Sequence, residues 1–378
     1  MDANFGFYKY FFIFIQNLNI LSFRAMKRDM KILGICGMLS LSLLTGCSGG
    51  AQRVEAVDID VPQIFGMKSE FVPAGGEAVI YGSSLAGAKV YFDTQFYNDS
   101  VQAEVISSED DKIVVRVPDK AWMGKIKVKN LAGVTTSNFI FRDERNIIID
   151  FDTHHQTWGG IVPFDHDGNL VQGQIENDSI HPYAGKLIEG CSGKFGLLHG
   201  TYPAKHPYIY VNDLWFQYMH GADEGGRGAV SIAGLPFYEN KIEDLVLKFE
   251  CNIPKEAAYK GIATEFIAGY ASKEPDKIGR TISPICRWEP YKNDKNYYIA
   301  GQNSGKDLSN GFYTDGWETI TIPLTAFKYV YNEDKPKDDL KLDLAKAVNF
   351  TVLVFGKPET DTHVMIAFDN FRIVPKSE

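Results

Sequence analysis

The chain has 378 residues, of which 44% are hydrophobic and 13% aromatic, and 39 basic against 48 acidic residues give a formal net charge of −9. A protein that binds nucleic acid through its phosphates presents a basic face, so this acidic balance argues against a nucleic-acid partner. The high aromatic content suits β-strands and flat surfaces on which ligands stack.

The first interpretable segment is an export signal. A basic cluster at Lys27, Arg28 and Lys31 precedes an apolar run that ends in Leu44-Thr45-Gly46-Cys47. A charged head, a short apolar segment and a small-residue cleavage site are typical of secretory signals. The Leu-x-Gly-Cys ending resembles the bacterial lipobox, which implies that Cys47 becomes the lipidated first residue of a mature protein outside the cytoplasm. The alternative is a buried core helix with an incidental cysteine.

The segment before this signal is interpreted as a start-site artefact. Translation that begins at Met26 or Met30 gives the signal a normal length, and a second targeting signal in residues 1–25 would be redundant. The alternative is a genuine membrane segment there, since about 20 apolar residues span a bilayer. The signal peptide then covers residues 26–46, and residues 47–60 form a spacer.

Short strands separated by turn residues follow, which predicts a small immunoglobulin-like sandwich over residues 61–142. The predicted strands are 78–81, 89–92, 112–117, 125–129 and 135–141. Turn glycines and prolines recur in an order that resembles IPT/TIG domains. They are Pro62-x-Ile64, Gly75-Gly76, Ile80-Tyr81-Gly82, Val117-Pro118, Gly124 and Asn130-Leu131-Ala132-Gly133. The resemblance implies a module that acts as a rigid spacer.

A second, larger domain is predicted over residues 146–378, after a charged hinge. Its predicted strands are 146–151, 207–211, 245–249, 264–268, 317–322, 349–355, 363–368 and 371–374. A weak helical period appears only at residues 340–348. Many antiparallel strands with long loops fit a jelly-roll sandwich. The expected fold class is therefore all-β, an immunoglobulin-like (IPT/TIG) sandwich followed by a larger jelly-roll β-sandwich.

Several motifs of the second domain resemble the carbohydrate-binding jelly rolls of Bacteroidetes surface glycan-binding lipoproteins from polysaccharide utilisation loci. They are Asp150-Phe151-Asp152 with Trp158, Arg287-Trp288-Glu289-Pro290-Tyr291, the run Gly316 to Leu324 with Phe327, and Phe368-Asp369-Asn370-Phe371-Arg372-Ile373. The resemblance implies a non-catalytic, lipid-anchored outer-membrane protein, exposed at the cell surface. It would bind a plant or fungal polysaccharide and retain it for a TonB-dependent transporter and its lid lipoprotein.

One departure and two alternatives stay open. The residues after Cys47 are Ser-Gly-Gly-Ala-Gln, without the acidic run of many surface-exported lipoproteins, so an inward-facing anchor is the alternative to surface exposure. A surface adhesion or structural protein that binds a protein partner is the functional alternative, followed by a glycoside hydrolase.

Sugar-binding sites place flat aromatic rings against the CH faces of sugars and polar groups against their hydroxyls. The predicted ligand-binding residues are Trp288, Tyr291 and Arg287 first, then Trp215 and Tyr218, and then Trp158. The adjacent Tyr297 and Tyr298 are weaker candidates. The alternative for Trp288 and Trp158 is packing in the core.

No catalytic residue is predicted. Glycoside hydrolysis needs two carboxylates roughly 5 to 9 Å apart. Glu250, Glu265 and Glu289 lie on predicted strands, but no hydrolase motif surrounds them. The histidines likewise lack metalloprotease spacing.

No cofactor is predicted, although Asp150, Asp152 and Asp369 suggest a structural calcium ion. Turn capping is the preferred interpretation of these aspartates. Cys191, Cys251 and Cys286 allow either one disulfide with a free thiol or three buried thiols.

Overall fold

The computed structural model describes residues 60–152, 158–159, 162–164, 188, 190–205, 214–218, 240–270, 282–292, 308–331 and 333–377. Regular structure in these ranges is β-strand with short 3-10 turns and no α-helix. None of their helical turns has the length and hydropathy that a membrane span requires. The expected all-β fold class is confirmed.

The first part of the chain forms a sandwich of two four-stranded antiparallel sheets. Its strands are β1 (Gln63–Met67), β2 (Glu77–Ser83), β3 (Lys89–Asp93), β4 (Ser100–Gln102), β5 (Glu104–Ser108), β6 (Lys112–Arg116), β7 (Ile126–Lys129) and β8 (Val134–Thr136). One sheet has the order β1-β2-β6-β5 and the other β4-β3-β7-β8. Alternate apolar side chains such as Ile80, Val90 and Val128 fill the space between them, as the period-2 alternation of strands requires.

The second part forms a larger sandwich. Its described strands are β9 (Ile147–Ile149), β10 (Trp158–Gly159), β11 (Val162–Phe164), β12 (Phe195–Tyr202), β13 (Trp215–Tyr218), β14 (Leu245–Asn252), β15 (Ile262–Tyr270), β16 (Ile285–Trp288), β17 (Glu318–Pro323), β18 (Ala347–Gly356) and β19 (Thr362–Pro375). A five-stranded sheet has the order β10-β13-β18-β15-β16, and its partner has the order β11-β12-β19-β14-β17, with β9 also paired to β19.

The core of the larger sandwich is rich in aromatic rings. Phe249 of one sheet stacks on Phe371, with ring centroids 5.1 Å apart, and contacts Phe266 of the other sheet at the same separation. Burying aromatic rings between sheets is a large part of what stabilises such a fold.

Two elements differ from the sequence predictions. The predicted strands 363–368 and 371–374 are one continuous strand, β19, in which Asn370 has a positive φ of 50°. The weak helical period at 340–348 corresponds to a 3-10 turn, Leu344–Lys346, that leads directly into β18. The predicted strand 207–211 lies outside the described residues.

The two sandwiches meet through buried charges. Arg372 on β19 is fully buried, and its guanidinium donates to Glu250 on β14 and to Glu70, which follows β1. Lys248 donates to the other oxygen of Glu70. Thr319 Oγ1 accepts from the backbone N–H of Glu70 at 2.7 Å. The first sandwich therefore covers part of the outward surface of the sheet that contains β14, β17 and β19. The candidate site lies on the other sheet, which has five strands.

Candidate functional site

The outward surface of the five-stranded sheet follows from strand alternation. Phe216, Phe266 and Val352 point into the core, so their neighbours on each strand point away from it. The pairing register aligns one row of these outward side chains across four strands. In order from β13 to β16, that row is Trp215, Leu353, Glu265 and Arg287.

Aromatic side chains are concentrated on this surface. We call it the aromatic face and define it by Trp215, Tyr329, Tyr331 and Phe355, which are partly buried and pack on a floor of Ile267, Ile285 and Leu353. Tyr329 reaches the face because its backbone pairs with that of Ile285 at the sheet edge. Partly exposed rings above an apolar floor provide a surface on which a flat ligand can stack.

An ion pair lies in the middle of the face. Arg287 Nε and Nη2 donate to Glu265 Oε1 at 2.9 and 2.8 Å. The central carbon of the Arg287 guanidinium, Cζ, lies 4.4 Å from the ring centroid of Tyr329 and 4.5 Å from that of Phe355. Burial raises the pKa of Glu265, and Arg287 opposes part of that rise. The pair therefore holds the guanidinium in a fixed position between two rings.

Polar side chains lie beside the rings on the same face. Thr351 Oγ1 donates to Gln217 Oε1 at 3.3 Å. Asn349 is fully buried, and its Nδ2 has no hydrogen-bond partner among the described residues. A Cβ on Gly269 would lie 2.0 Å from Asn349 Oδ1, so only glycine leaves room for this amide. These polar side chains are buried beside the rings, where they contact one another.

A cavity of about 200 Å³ opens where β15 begins and where β16 and β18 end, and Arg287 and Phe355 line it. Tyr291 also lines it and donates its hydroxyl proton to Glu289 Oε1 at 3.0 Å. Burial, followed by the charge of Glu289, raises the pKa of Tyr291, so the phenol stays protonated at neutral pH.

The expectation that Trp288 exposes a stacking ring is wrong. Its side chain is fully buried in the core, edge-on to Phe249 at 5.6 Å and to Phe312 at 6.0 Å. The physical reason is that successive side chains of a strand point to opposite faces of the sheet. Because Arg287 pairs with Glu265 on the outward surface, Trp288 points inward. Its Nε1 has no hydrogen-bond partner among the described residues.

The other predicted ligand-binding residues fall into two groups. Trp215 and Arg287 lie on the aromatic face, and Tyr291 lies beside it on the cavity wall. Trp158 and Tyr218 belong to β10 and β13, which are paired, but their side chains lie outside the described part of the structure. Tyr297, Tyr298 and the proposed lipidation site Cys47 also lie outside the described residues.

Tyr329, Tyr331 and Phe355 were missed by the sequence analysis. Phe355 is the last residue of the predicted strand 349–355. Because its neighbour Val354 points into the core, strand alternation places the side chain of Phe355 on the outward surface. Tyr329 and Tyr331 are spaced by two residues, which is also the spacing of side chains on one face of an extended segment. That spacing was the available signal.

Glu250 and Glu265, two of the carboxylates considered for hydrolysis, lie on different sheets. Glu250 lies on β14 and points to the first sandwich, whereas Glu265 lies on the other sheet and points to the aromatic face. Stacked sheets are about 10 Å apart, and these side chains point away from each other. Glu289 is held by Tyr291 and by Lys292, whose Nζ lies 2.6 Å from Glu289 Oε2.

The aspartates considered for calcium serve other contacts. Among the described residues, no group of three or more His, Cys, Asp or Glu side chains is placed to hold a metal ion. Asp152 caps the backbone N–H of Lys194, and buried Asp369 contacts Cys191 Sγ at 3.1 Å. Of the two cysteine hypotheses, the structure supports three buried thiols, at Cys191, Cys251 and Cys286.

Comparison with known proteins identifies the family. The model for the surface glycan-binding protein B xyloglucan-binding domain matches residues 141–375, and the chain belongs to this family. No curated protein sequence matches the chain.

Solved structures share the fold. The surface glycan-binding protein PbSGBP-B from Prevotella bryantii is 16% identical, with a TM-score of 0.55 over 83% of this chain and 76% of that one. A structure described as domains CD is 19% identical, with a TM-score of 0.53 over 83% and 99% of the two chains. A third, solved with a xylogluco-oligosaccharide, is 18% identical, with a TM-score of 0.51 over 83% and 58%. These structures therefore share the fold of most of this chain.

Proposed function

We propose that this protein is a non-catalytic polysaccharide-binding protein whose ligand lies on the aromatic face. The observation that carries the proposal is the set of partly exposed rings, Trp215, Tyr329, Tyr331 and Phe355, above one apolar floor. Such rings cover the CH faces of sugar units, while the neighbouring Arg287 guanidinium donates hydrogen bonds to hydroxyls. Xyloglucan, which names the family, is the first ligand to test.

The experiment compares two tryptophans on opposite sheets. Trp215→Ala removes a ring of the aromatic face, while Trp317→Ala removes a half-buried ring that packs edge-on against Phe195 near the other sheet. A stacked ring contributes about 1 kcal/mol, so Trp215→Ala should weaken xyloglucan binding about five- to tenfold in calorimetry and in affinity gels. Trp317→Ala should bind as the unchanged protein does.

Unchanged binding by Trp215→Ala, or equal losses in both variants, would contradict the proposal. Thermal unfolding of each variant separates a lost contact from a lost fold. Failure of the unchanged protein to retain any glycan, together with capture of a protein partner, would favour the adhesion alternative.

The cellular context extends the proposal. Residues 26–46 act as a signal peptide, Cys47 carries the lipid anchor on the outer membrane, and residues 47–60 form the spacer. An IPT/TIG module at 61–142 holds the jelly-roll domain at 146–378 away from the membrane, and residues 1–25 precede the true start. The bound chain is retained at the cell surface for a TonB-dependent transporter and its lid lipoprotein.

Cys47→Ala tests the anchor. Metabolic labelling with a fatty acid should mark the unchanged protein and not the variant, and the variant should leave the membrane fraction. Labelling of the variant, or retention in the membrane without lipid, would contradict the anchor. Co-purification with the transporter from cells that express both tests the partner.

A further inference from the structure

Two histidines lie side by side on the sheet opposite the aromatic face. His199 belongs to β12 and His363 to β19, and these two strands pair antiparallel. The register pairs His199 with Met365 and Thr201 with His363, so the two imidazoles are diagonal neighbours. Diagonal side chains on one face of a sheet are close enough for rings to touch.

Both imidazoles point away from the core. Their strand neighbours Leu198 and Val364 are buried between the sheets, and successive side chains of a strand point to opposite faces. His199 is half-buried and His363 is exposed, so solvent reaches the pair. Nine residues of β19, about 30 Å of extended strand, separate His363 from Arg372. The pair therefore lies at the other end of the strand from the contact with the first sandwich.

The separation of the two rings is that of two imidazoles bound to one metal ion. The ring centroids of His199 and His363 are 5.0 Å apart. A zinc ion lies about 2.0 to 2.1 Å from each ligating nitrogen, which places it about 3.2 Å from each ring centroid. With a tetrahedral angle at the metal, the two centroids are then about 5.2 Å apart. The strands therefore already hold the rings at the spacing that joint binding of one cation requires.

Edge-to-face packing is the alternative explanation of this contact, since the ring planes meet at 88°. The two explanations differ in what they require of the rings. Packing needs only a flat ring, so phenylalanine can replace either histidine. Metal binding needs a ring nitrogen on each strand, which phenylalanine lacks. A substitution to phenylalanine therefore separates the two explanations.

The ligand atoms of the pair select the class of cation. Imidazole nitrogens suit Zn²⁺, Cu²⁺ and Ni²⁺, whereas Ca²⁺ and Mg²⁺ prefer oxygen ligands. The carboxylate of Asp361, two residues before His363, accepts from the backbone N–H of Ala204 at 2.8 Å. Within the described part of the chain, no third His, Cys, Asp or Glu joins the pair. Water or a group from another molecule completes the coordination of a bound ion.

We propose that His199 and His363 together bind one transition-metal cation of the zinc class. Each supplies one nitrogen from an inner strand of the sheet, and the backbone pairing of β12 with β19 fixes their relative position. Ligands carried on strands are positioned more precisely than ligands on loops. The site lies on the sheet opposite the aromatic face, so the inference goes beyond the proposed function and does not depend on it.

Calorimetry with zinc chloride on the full chain, prepared without a polyhistidine tag, tests the site. His199→Phe and His363→Phe keep a flat ring, and each should weaken zinc binding about tenfold or more. The matched control is Thr201→Ala, which changes the residue paired with His363 and keeps both imidazoles. The control should bind zinc as the unchanged protein does. Zinc should also raise the Tm of the unchanged protein and of the control more than that of either phenylalanine variant.

The double variant distinguishes one shared site from two separate ones. Because joint binding needs both rings, His199→Phe combined with His363→Phe should lose little more affinity than either single variant. Losses that add in the double variant would overturn the inference. Zinc affinity that survives both substitutions, or no zinc binding by the unchanged protein, would overturn it as well.

Thermal unfolding without metal checks that each variant is folded. Should His199→Phe fail to fold, the exposed position decides the matter through His363→Phe and His363→Gln. Zinc affinity equal to that of the unchanged protein in both of these variants would overturn the inference.

Discussion

Arg372 and Glu70 form an ion pair across the junction of the two sandwiches, with Nη2 and Oε2 2.8 Å apart. Arg372 also donates to Glu250, and its guanidinium lies 4.8 Å above the ring of Phe71. Burial lowers the pKa of Arg372, but the two carboxylates outweigh this effect and raise it, so the charge persists. Because a buried charge set requires every partner, it fixes how the first sandwich sits on the second.

Arg372→Met should destabilise the protein by about 3 to 5 kcal/mol, because Glu250 and Glu70 lose a shared buried counterion. Urea unfolding of the whole chain measures the change. The matched control is Arg116→Met, which breaks an exposed pair with Glu104 and should cost less than about 1 kcal/mol. Equal effects in the two variants would show that the junction charges do not stabilise the arrangement.

Strand alternation predicted most of the fold. In β2, buried Ala78 and Ile80 alternate with partly exposed Val79 and Tyr81. Alternation could not identify the inward side of β16, because a shift of one residue exchanges the two faces. That is why Trp288 was expected at the surface.

The candidate site was harder to predict than the strands. Trp215, Tyr329 and Phe355 are distant in sequence and meet only through the sheet order β13-β18-β15-β16. Arg372 likewise resembles a solvent-facing residue of a terminal strand, and only the docking of the first sandwich buries it. Long-range strand order and domain contacts are not encoded in local periodicity.

Trp288→Ala should lower the free energy of unfolding by about 3 to 5 kcal/mol, since it leaves a cavity among Phe249, Tyr259 and Phe312. At a temperature where the variant remains folded, its glycan affinity should stay within a few-fold of the unchanged protein. Chemical denaturation and calorimetry on the same preparation measure both quantities. Selective loss of binding with intact stability would show that the ring is reached by the ligand.

Asp369→Asn should stabilise the protein at neutral pH. Burial raises the pKa of Asp369 well above its ordinary value, and contact with Cys191 opposes only part of this rise. Because the folded state favours the protonated acid, stability declines as pH rises above the ordinary pKa of an aspartate toward the raised value. The asparagine variant lacks this decline, so its advantage should be present at pH 7 and vanish near pH 3.

Urea unfolding of both proteins between pH 3 and pH 8 measures that difference. The titratable neighbours of Asp369 are Cys191, Glu250 and Asp152, and they are the same in both proteins. Asp338→Asn, at an exposed position, should show no comparable pH dependence. An asparagine variant that is less stable at pH 7 would mean that the charged carboxylate is needed by the fold.

Arg287 and Glu265 provide a prediction that links stability to the aromatic face. Arg287→Ala leaves Glu265, whose side chain is only 3% exposed, without its counterion, and should destabilise the protein by about 3 to 5 kcal/mol. Adding Glu265→Gln should recover much of that stability, since the uncompensated charge is gone. Glycan affinity should not recover, because the guanidinium between Tyr329 and Phe355 is still missing. A double variant that regains both stability and glycan affinity would show that Arg287 only neutralises Glu265. A double variant that regains neither would show that the stacked guanidinium itself holds the rings in place.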